Sequence, residues 1–98
     1  MLKDEEIEAV SVCTWSTILA KEALKALQAG KHVLVEKPMA ADSKQAENLL
    51  KTAQKNGLHL TVGFLMRFIP GLQHIQDAVA RKKIGELVCA TAESHTMA

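Results

Sequence analysis

Aromatic residues are scarce: one Trp, two Phe and no Tyr, 3% of a 98-residue chain. Without rings there is no base-stacking platform, and 12 Lys and Arg against 11 Asp and Glu, mixed along the chain, build no phosphate-neutralising field. Nucleic acid is excluded as a partner on these grounds. No window approaches the ~18 consecutive apolar residues of a membrane span, and the polar, acidic first eight residues do not resemble a secretory leader. A membrane role is set aside and a cytoplasmic location expected. The two cysteines, Cys13 and Cys89, stand far apart with no C-x-x-C spacing and no histidine at ligand distance. They read as reduced thiols packed among Val and Ala, with no disulfide and no metal site. No repeat, linker or low-complexity tract divides the sequence.

What is present is 48% hydrophobic and carries a net charge of +1, the balance of one small globular domain. Ala9 to Thr14 is a short β-prone run, read as a strand buried on both faces. From Ser16 to Ala29 the apolar positions Ala20, Ala23, Leu24 and Leu27 follow helical spacing, and Gly30 supplies a stop. His32 to Glu36 is a second strand, closed by Pro38. The next helix has the clearest signals: Asp42 as cap, Gln45 completing a D-x-x-Q capping box, a stripe of Ala46, Leu49, Leu50 and Ala53, and Gly57 at the end. Leu58 to Phe64 reads as a third strand. Pro70 then opens a helix carrying Leu72, Ile75 and Val79, with Arg81, Lys82 and Lys83 in its last turn. Glu86 to Glu93 reads as a fourth strand.

Strand and helix in alternation define an α/β class: a partial Rossmann-like three-stranded parallel sheet with flanking helices, plus one C-terminal strand. Ligands of such sheets sit outside the carboxyl ends of the strands. Here those ends carry Cys13, Thr14 and Trp15, then Glu36, Lys37 and Pro38, then Gly63 and Phe64, so the site is expected on that edge.

The segment Ala29-Gly30-Lys31-His32-Val33-Leu34-Val35-Glu36-Lys37-Pro38-Met39-Ala40 closely resembles the AGKHV-x-x-EKP-x-A signature of the glucose-fructose oxidoreductase, inositol dehydrogenase and MocA family. Asp4 to Thr14 is similar to that family's D-x-x-I-D-A-V-x-V-x-T strand, Val62 to Pro70 to its V-G-F-x-x-R-F-x-P stretch, and Ile84-Gly85-Glu86 to its I-G-E. The resemblance implies NAD or NADP as cofactor, sugar- or polyol-like hydroxyls as substrate, and a place for Lys37 near the transferred hydride. It also implies two regions, residues 1–83 from the nucleotide-binding domain and residues 84–98 from the start of a substrate and dimerisation domain. The sequence departs from the family in having no G-x-G-x-x-G turn, and in carrying Trp15, Ser16 and Leu19 where the family has Pro, Asn and His.

The candidate site residues are Lys37 for catalysis, and Thr14, Trp15, Ser16, Glu36, Lys37 and Arg67 for the cofactor. Each has a plainer alternative. Lys37 stabilises a developing alkoxide or is a solvated loop lysine. Glu36 accepts from a ribose, or pairs with Lys37 or Arg67. Thr14 approaches a dinucleotide through its backbone or caps the following helix. Trp15 stacks on a ring or covers apolar surface. His32 and His59 fall on the opposite edge, and with His74 and His95 read as structural or surface residues. The leading expectation is a partial NAD(P)-dependent oxidoreductase, inactive alone, that forms a homodimer or higher even oligomer, by strand exchange in one version. The alternative is a non-enzymatic self-associating or small-ligand-binding module.

Overall fold

Three parallel strands and two crossover helices make the first unit, Met1–Phe64, of a computed structural model that describes residues 1–93. The order in the chain is β1 (Ala9–Val12), α1 (Ser16–Gln28), β2 (His32–Val35), α2 (Ser43–Lys55) and β3 (Leu60–Val62). The sheet order is β1-β2-β3, with Val12 opposite Val35 and Val35 opposite Val62. The α/β parallel class is as the sequence predicts; each strand is shorter than its apolar run.

Both helices end in the same way, and the residue type explains it. Gly30 at φ 76° and Gly57 at φ 65° occupy the left-handed region that glycine enters without a Cβ clash. The chain then turns back, so that the Lys31 N–H donates to Ala26 O at 3.0 Å and the Leu58 N–H to Ala53 O at 2.9 Å. These are Schellman closures, which satisfy the last carbonyls of a helix and aim the chain into the next strand. The Asn56 side chain adds a bond from Nδ2 to Leu27 O at 3.3 Å, tying the end of α2 to the end of α1. At the start of α2, Asp42 Oδ1 accepts from the Gln45 N–H at 2.8 Å. The Gln45 side chain bonds the Asp42 carboxylate rather than a backbone N–H, so half of the expected capping box is formed.

The core lies between the sheet and the helices: Val12, Val33 and Val35 from the strands, Leu19, Ala23, Ala26 and Leu27 from α1, and Leu49 and Ala53 from α2. On α1 the buried stripe is rotated one position from the expected one; Ala20 and Leu24 are only partly buried. Leu50 of α2 is exposed. β1 is not buried on both faces. Its side chains alternate, Val12 buried and Ala9 and Ser11 exposed, because right-handed crossovers in one strand order put both helices on one side of the sheet.

The second unit begins at Leu65 and holds a 3-10 helix, Leu65–Phe68, and α3 (Pro70–Ala80). Pro70 stands in the first turn as expected. Neither element has a buried residue, so Leu72 and Ile75 present an exposed apolar stripe. Arg81, Lys82 and Lys83 lie beyond the last turn rather than in it. Arg81 caps α3, Lys82 takes the left-handed position at φ 54°, and the Arg81 and Lys83 side chains both reach Asp77. The expected strand from Glu86 to Glu93 is not formed: these residues have no regular secondary structure, since a strand needs a neighbour and none pairs with them among the described residues. Cys13 and Cys89 are free and exposed rather than packed in apolar surroundings. His95 lies outside the described residues.

Candidate functional site

Past the carboxyl ends of β2 and β3 the backbone stays tied to its neighbour for one more residue. The Glu36 N–H donates to Val12 O at 3.0 Å and the Gly63 N–H to Val35 O at 2.8 Å. These two bonds extend the ladders and fix Glu36 and Gly63 side by side at the edge where parallel sheets hold ligands.

Glu36 is half-buried, and its Oε2 accepts from the backbone N–H of Lys37 at 3.0 Å. The carboxylate thus leans back over its own chain, with Oε1 next to Gly63: a Cβ built on that glycine would stand 3.5 Å from it. Of the two plain partners expected for Glu36, Lys37 is used through its amide and not through its ammonium. The Lys37 side chain is exposed and has no hydrogen-bond or ion-pair partner among the described residues. The bond from Lys37 to Pro38 is cis.

The loop after β1 brings Thr14, Trp15 and Ser16 to the same edge. Trp15, not Thr14, is the N-cap of α1, and no side chain caps the helix there. The Trp15 carbonyl accepts the Ile18 and Leu19 N–H groups, both at 3.0 Å, while the N–H groups of Ser16 and Thr17 belong to the first turn that no helical carbonyl reaches. The indole is 83% exposed, so it does not cover apolar surface of this chain. Cys13, just before, lies 3.3 Å from Ser11 Oγ through its sulfur. Arg67 belongs to the 3-10 helix of the second unit. Among the described residues no group of three His, Cys, Asp or Glu side chains is placed to hold a metal ion, and no helix is long and apolar enough to cross a membrane.

A three-stranded parallel sheet with its polar loops gathered on the carboxyl edge defines a Rossmann-type nucleotide-binding fold. The model of the Gfo/Idh/MocA oxidoreductase family, NAD-binding Rossmann fold, matches residues 1–64, and the chain belongs to this family. It is 35% identical over 95 residues to a 4-carboxy-2-hydroxymuconate-6-semialdehyde dehydrogenase of a Sphingobium species, covering 97% of this chain and 29% of that protein. Inositol 2-dehydrogenase of Paracoccus denitrificans is 33% identical over 81 residues, 82% of this chain and 24% of its own length. Among solved structures, a 3-ketoreductase from Actinomadura kijaniata in complex with NADP and TDP-benzene superposes with a TM-score of 0.78 at 36% identity, over 87% of this chain and 26% of that one. The chain therefore spans about a quarter of the length of the relatives it matches.

Proposed function

We propose that the carboxyl edge of this sheet forms the nicotinamide-side part of an NAD(P) site in an oxidoreductase acting on a sugar- or polyol-like hydroxyl. The observation that carries the reading is the position of Glu36 and Lys37 directly after the central strand, one carboxylate anchored and one ammonium unpaired. These residues suit the ribose end of such a cofactor. Glu36 keeps Oε1 free of its own backbone, and a carboxylate in a fixed orientation accepts from neighbouring hydroxyls. Gly63 stands beside that oxygen without a side chain, a built Cβ lying 3.5 Å from it. When bound, the nicotinamide supplies the hydride-accepting ring. Lys37 would stand beside the reacting hydroxyl, where an ammonium lowers the energy of the alkoxide left when the hydroxyl proton passes to solvent water and the carbon-bound hydride goes to the ring. Trp15 offers a flat face to a ring at the same edge.

The sequence has no G-x-G-x-x-G, and a dinucleotide's diphosphate is usually held by that turn and the helix after it. The 98-residue chain by itself is therefore expected to bind NADH or NADPH no tighter than roughly millimolar and to show no turnover. Amide shifts of the labelled chain, titrated with NADH and with NADPH, test the placement even at that affinity. Thr14, Trp15, Glu36, Lys37 and Gly63 should move together. Saturation without movement of Glu36 and Lys37, or movement centred on His32 and His59, overturns it.

A second reading, a self-associating module without redox chemistry, draws on the other face of the sheet. Ala9, Ser11, Leu34 and Thr61 line a shallow concavity of about 430 Å³ there, which His32 and His59 also line; no Asp, Glu, Lys or Arg is among its lining residues. Leu34 is 48% exposed, although it sits on the central strand. A sheet face without acidic or basic side chains other than these two histidines, beside the edge of β1 that no strand pairs among the described residues, suits a second copy of the chain. The mass of the chain in solution, followed on dilution, separates this reading from that of a solitary nucleotide-binding segment.

A further inference from the structure

The amino edge of the sheet, opposite the candidate site, holds two histidines in contact. The His59 backbone N–H donates to His32 Nδ1 at 2.9 Å, and the two rings lie 5.0 Å apart at 43°. His32 opens β2, and His59 stands immediately before β3. The His59 carbonyl in turn accepts the Val33 N–H at 2.9 Å, so His59 is held to β2 through both of its backbone groups.

We propose that His32 is a pH-sensitive latch joining the starts of β2 and β3. An imidazole nitrogen accepts a hydrogen bond only while it carries no proton, so this contact requires a neutral His32 with its hydrogen on Nε2. Protonation places a second N–H at Nδ1, facing the His59 N–H, and acceptor becomes donor. The bond is then lost. A charge on the neighbouring His59 ring adds repulsion across the same gap.

The surrounding groups do not offset this. From β1, Ala9 is the residue paired with His32, and the preceding Glu8 accepts the His32 backbone N–H through its carbonyl oxygen at 2.9 Å. On the β2 side Lys31 precedes His32, and its ammonium is directed to Asp4 O at 2.7 Å. From the β3 side, among the described residues, the titratable group in contact is His59 itself. Among the described residues no carboxylate bonds either imidazole. The consequence follows from the geometry: the latch is closed while His32 Nδ1 is an acceptor and opens when that nitrogen carries a proton.

Amide hydrogen exchange on the full chain at about pH 7.5 and about pH 5, each corrected for intrinsic exchange, reads the latch directly. Protection of the His59 amide should fall about fivefold in acid, the worth of one ordinary hydrogen bond, while the Gly63 amide at the far edge stays constant. His32→Asn puts a non-titrating oxygen near the Nδ1 position; it should keep the protection and abolish its pH dependence. His59→Ala keeps the backbone donor and removes the second ring, and the pH dependence should persist at that residue. Protection that is the same at both pH values, a pH dependence that survives His32→Asn, or one that vanishes in His59→Ala overturns the proposal.

Discussion

The buried Lys31 ammonium donates to the carbonyl oxygen of Asp4 at 2.7 Å, across 27 residues of sequence. Lys31 is 8% exposed, the one buried charged side chain among the described residues. It holds the N-terminal segment, from which Leu2 packs against the same core, over the bottom of the sheet. A cation donating to a carbonyl in low dielectric is worth more than a neutral hydrogen bond. Lys31→Met keeps the aliphatic stem and removes the donor; it should cost about 1.5–3 kcal/mol by chemical denaturation. It should also speed proteolysis near Asp4. Unchanged stability would mean that water replaces the lost donor without cost.

Asp42 holds the first turn of α2 through the Gln45 N–H. Asp42→Ala should lower stability by about 1 kcal/mol and Asp42→Asn by much less, since the amide oxygen still accepts. A thermal midpoint for the alanine variant equal to that of the parent chain would show that the Gln45 side-chain bond is incidental and that the cap carries little energy.

Lys82 adopts φ 54° at the position after the cap of α3, where the two other helices of the chain place glycine. The closure is otherwise the same: the Lys83 N–H donates to Ala78 O at 2.9 Å. A Cβ in this region costs roughly 1 kcal/mol, which glycine avoids. Lys82→Gly should therefore raise the helicity of the second unit, measured by circular dichroism and by slower exchange of the Lys83 amide. A loss of helicity would mean that the Lys82 charge at the helix end outweighs the backbone strain.

Lys37 is exposed and unpaired, and Lys37→Ala should leave folding stability within about 0.5 kcal/mol of the parent chain. A large fall in the denaturation midpoint would assign it a structural contact. Neutral stability combined with loss of the amide shifts caused by NADH would support its place at the site.

Much of the fold was legible because its signals are local. The glycines at 30 and 57 and the Asp42 cap each act within one turn and are where the sequence puts them, while the helices form as expected with the buried stripe of α1 rotated by one position. The carboxyl-edge cluster of Thr14, Trp15, Ser16, Glu36 and Lys37 follows from parallel topology alone. What could not be read depends on tertiary surroundings. The pattern AVSVCT suits a strand covered on two faces, but coverage is set by the side on which α1 and α2 cross, not by the strand itself. Glu86 to Glu93 has strand composition without a strand beside it. The His32 to His59 bond joins residues 27 apart in sequence and has no motif; two histidines at the starts of adjacent parallel strands were its only trace.

Self-association is the remaining proposal, and Leu34 is where to test it. On the face of the sheet away from α1 and α2, Leu34 lies in register between Ser11 and Thr61, so the three side chains form one row across the strands. The Glu8 and Val12 carbonyls are turned toward β2, and by the alternation of a parallel ladder the Ala9 and Ser11 backbone groups point to the open edge. An edge with free donors and acceptors beside a face whose titratable groups are His32 and His59 favours pairing with a twin chain, and a two-fold arrangement closes it without further growth. A homodimer or higher even oligomer is expected at micromolar concentration. Leu34→Glu sets two carboxylates against one another if two such faces meet, and should shift the mass measured by light scattering toward the monomer of 10.7 kDa while leaving the buried core untouched. A parent chain that stays at the monomer mass over a dilution series defeats the proposal. An oligomer that Leu34→Glu does not weaken moves the contact to the β1 edge or to the exposed stripe of α3.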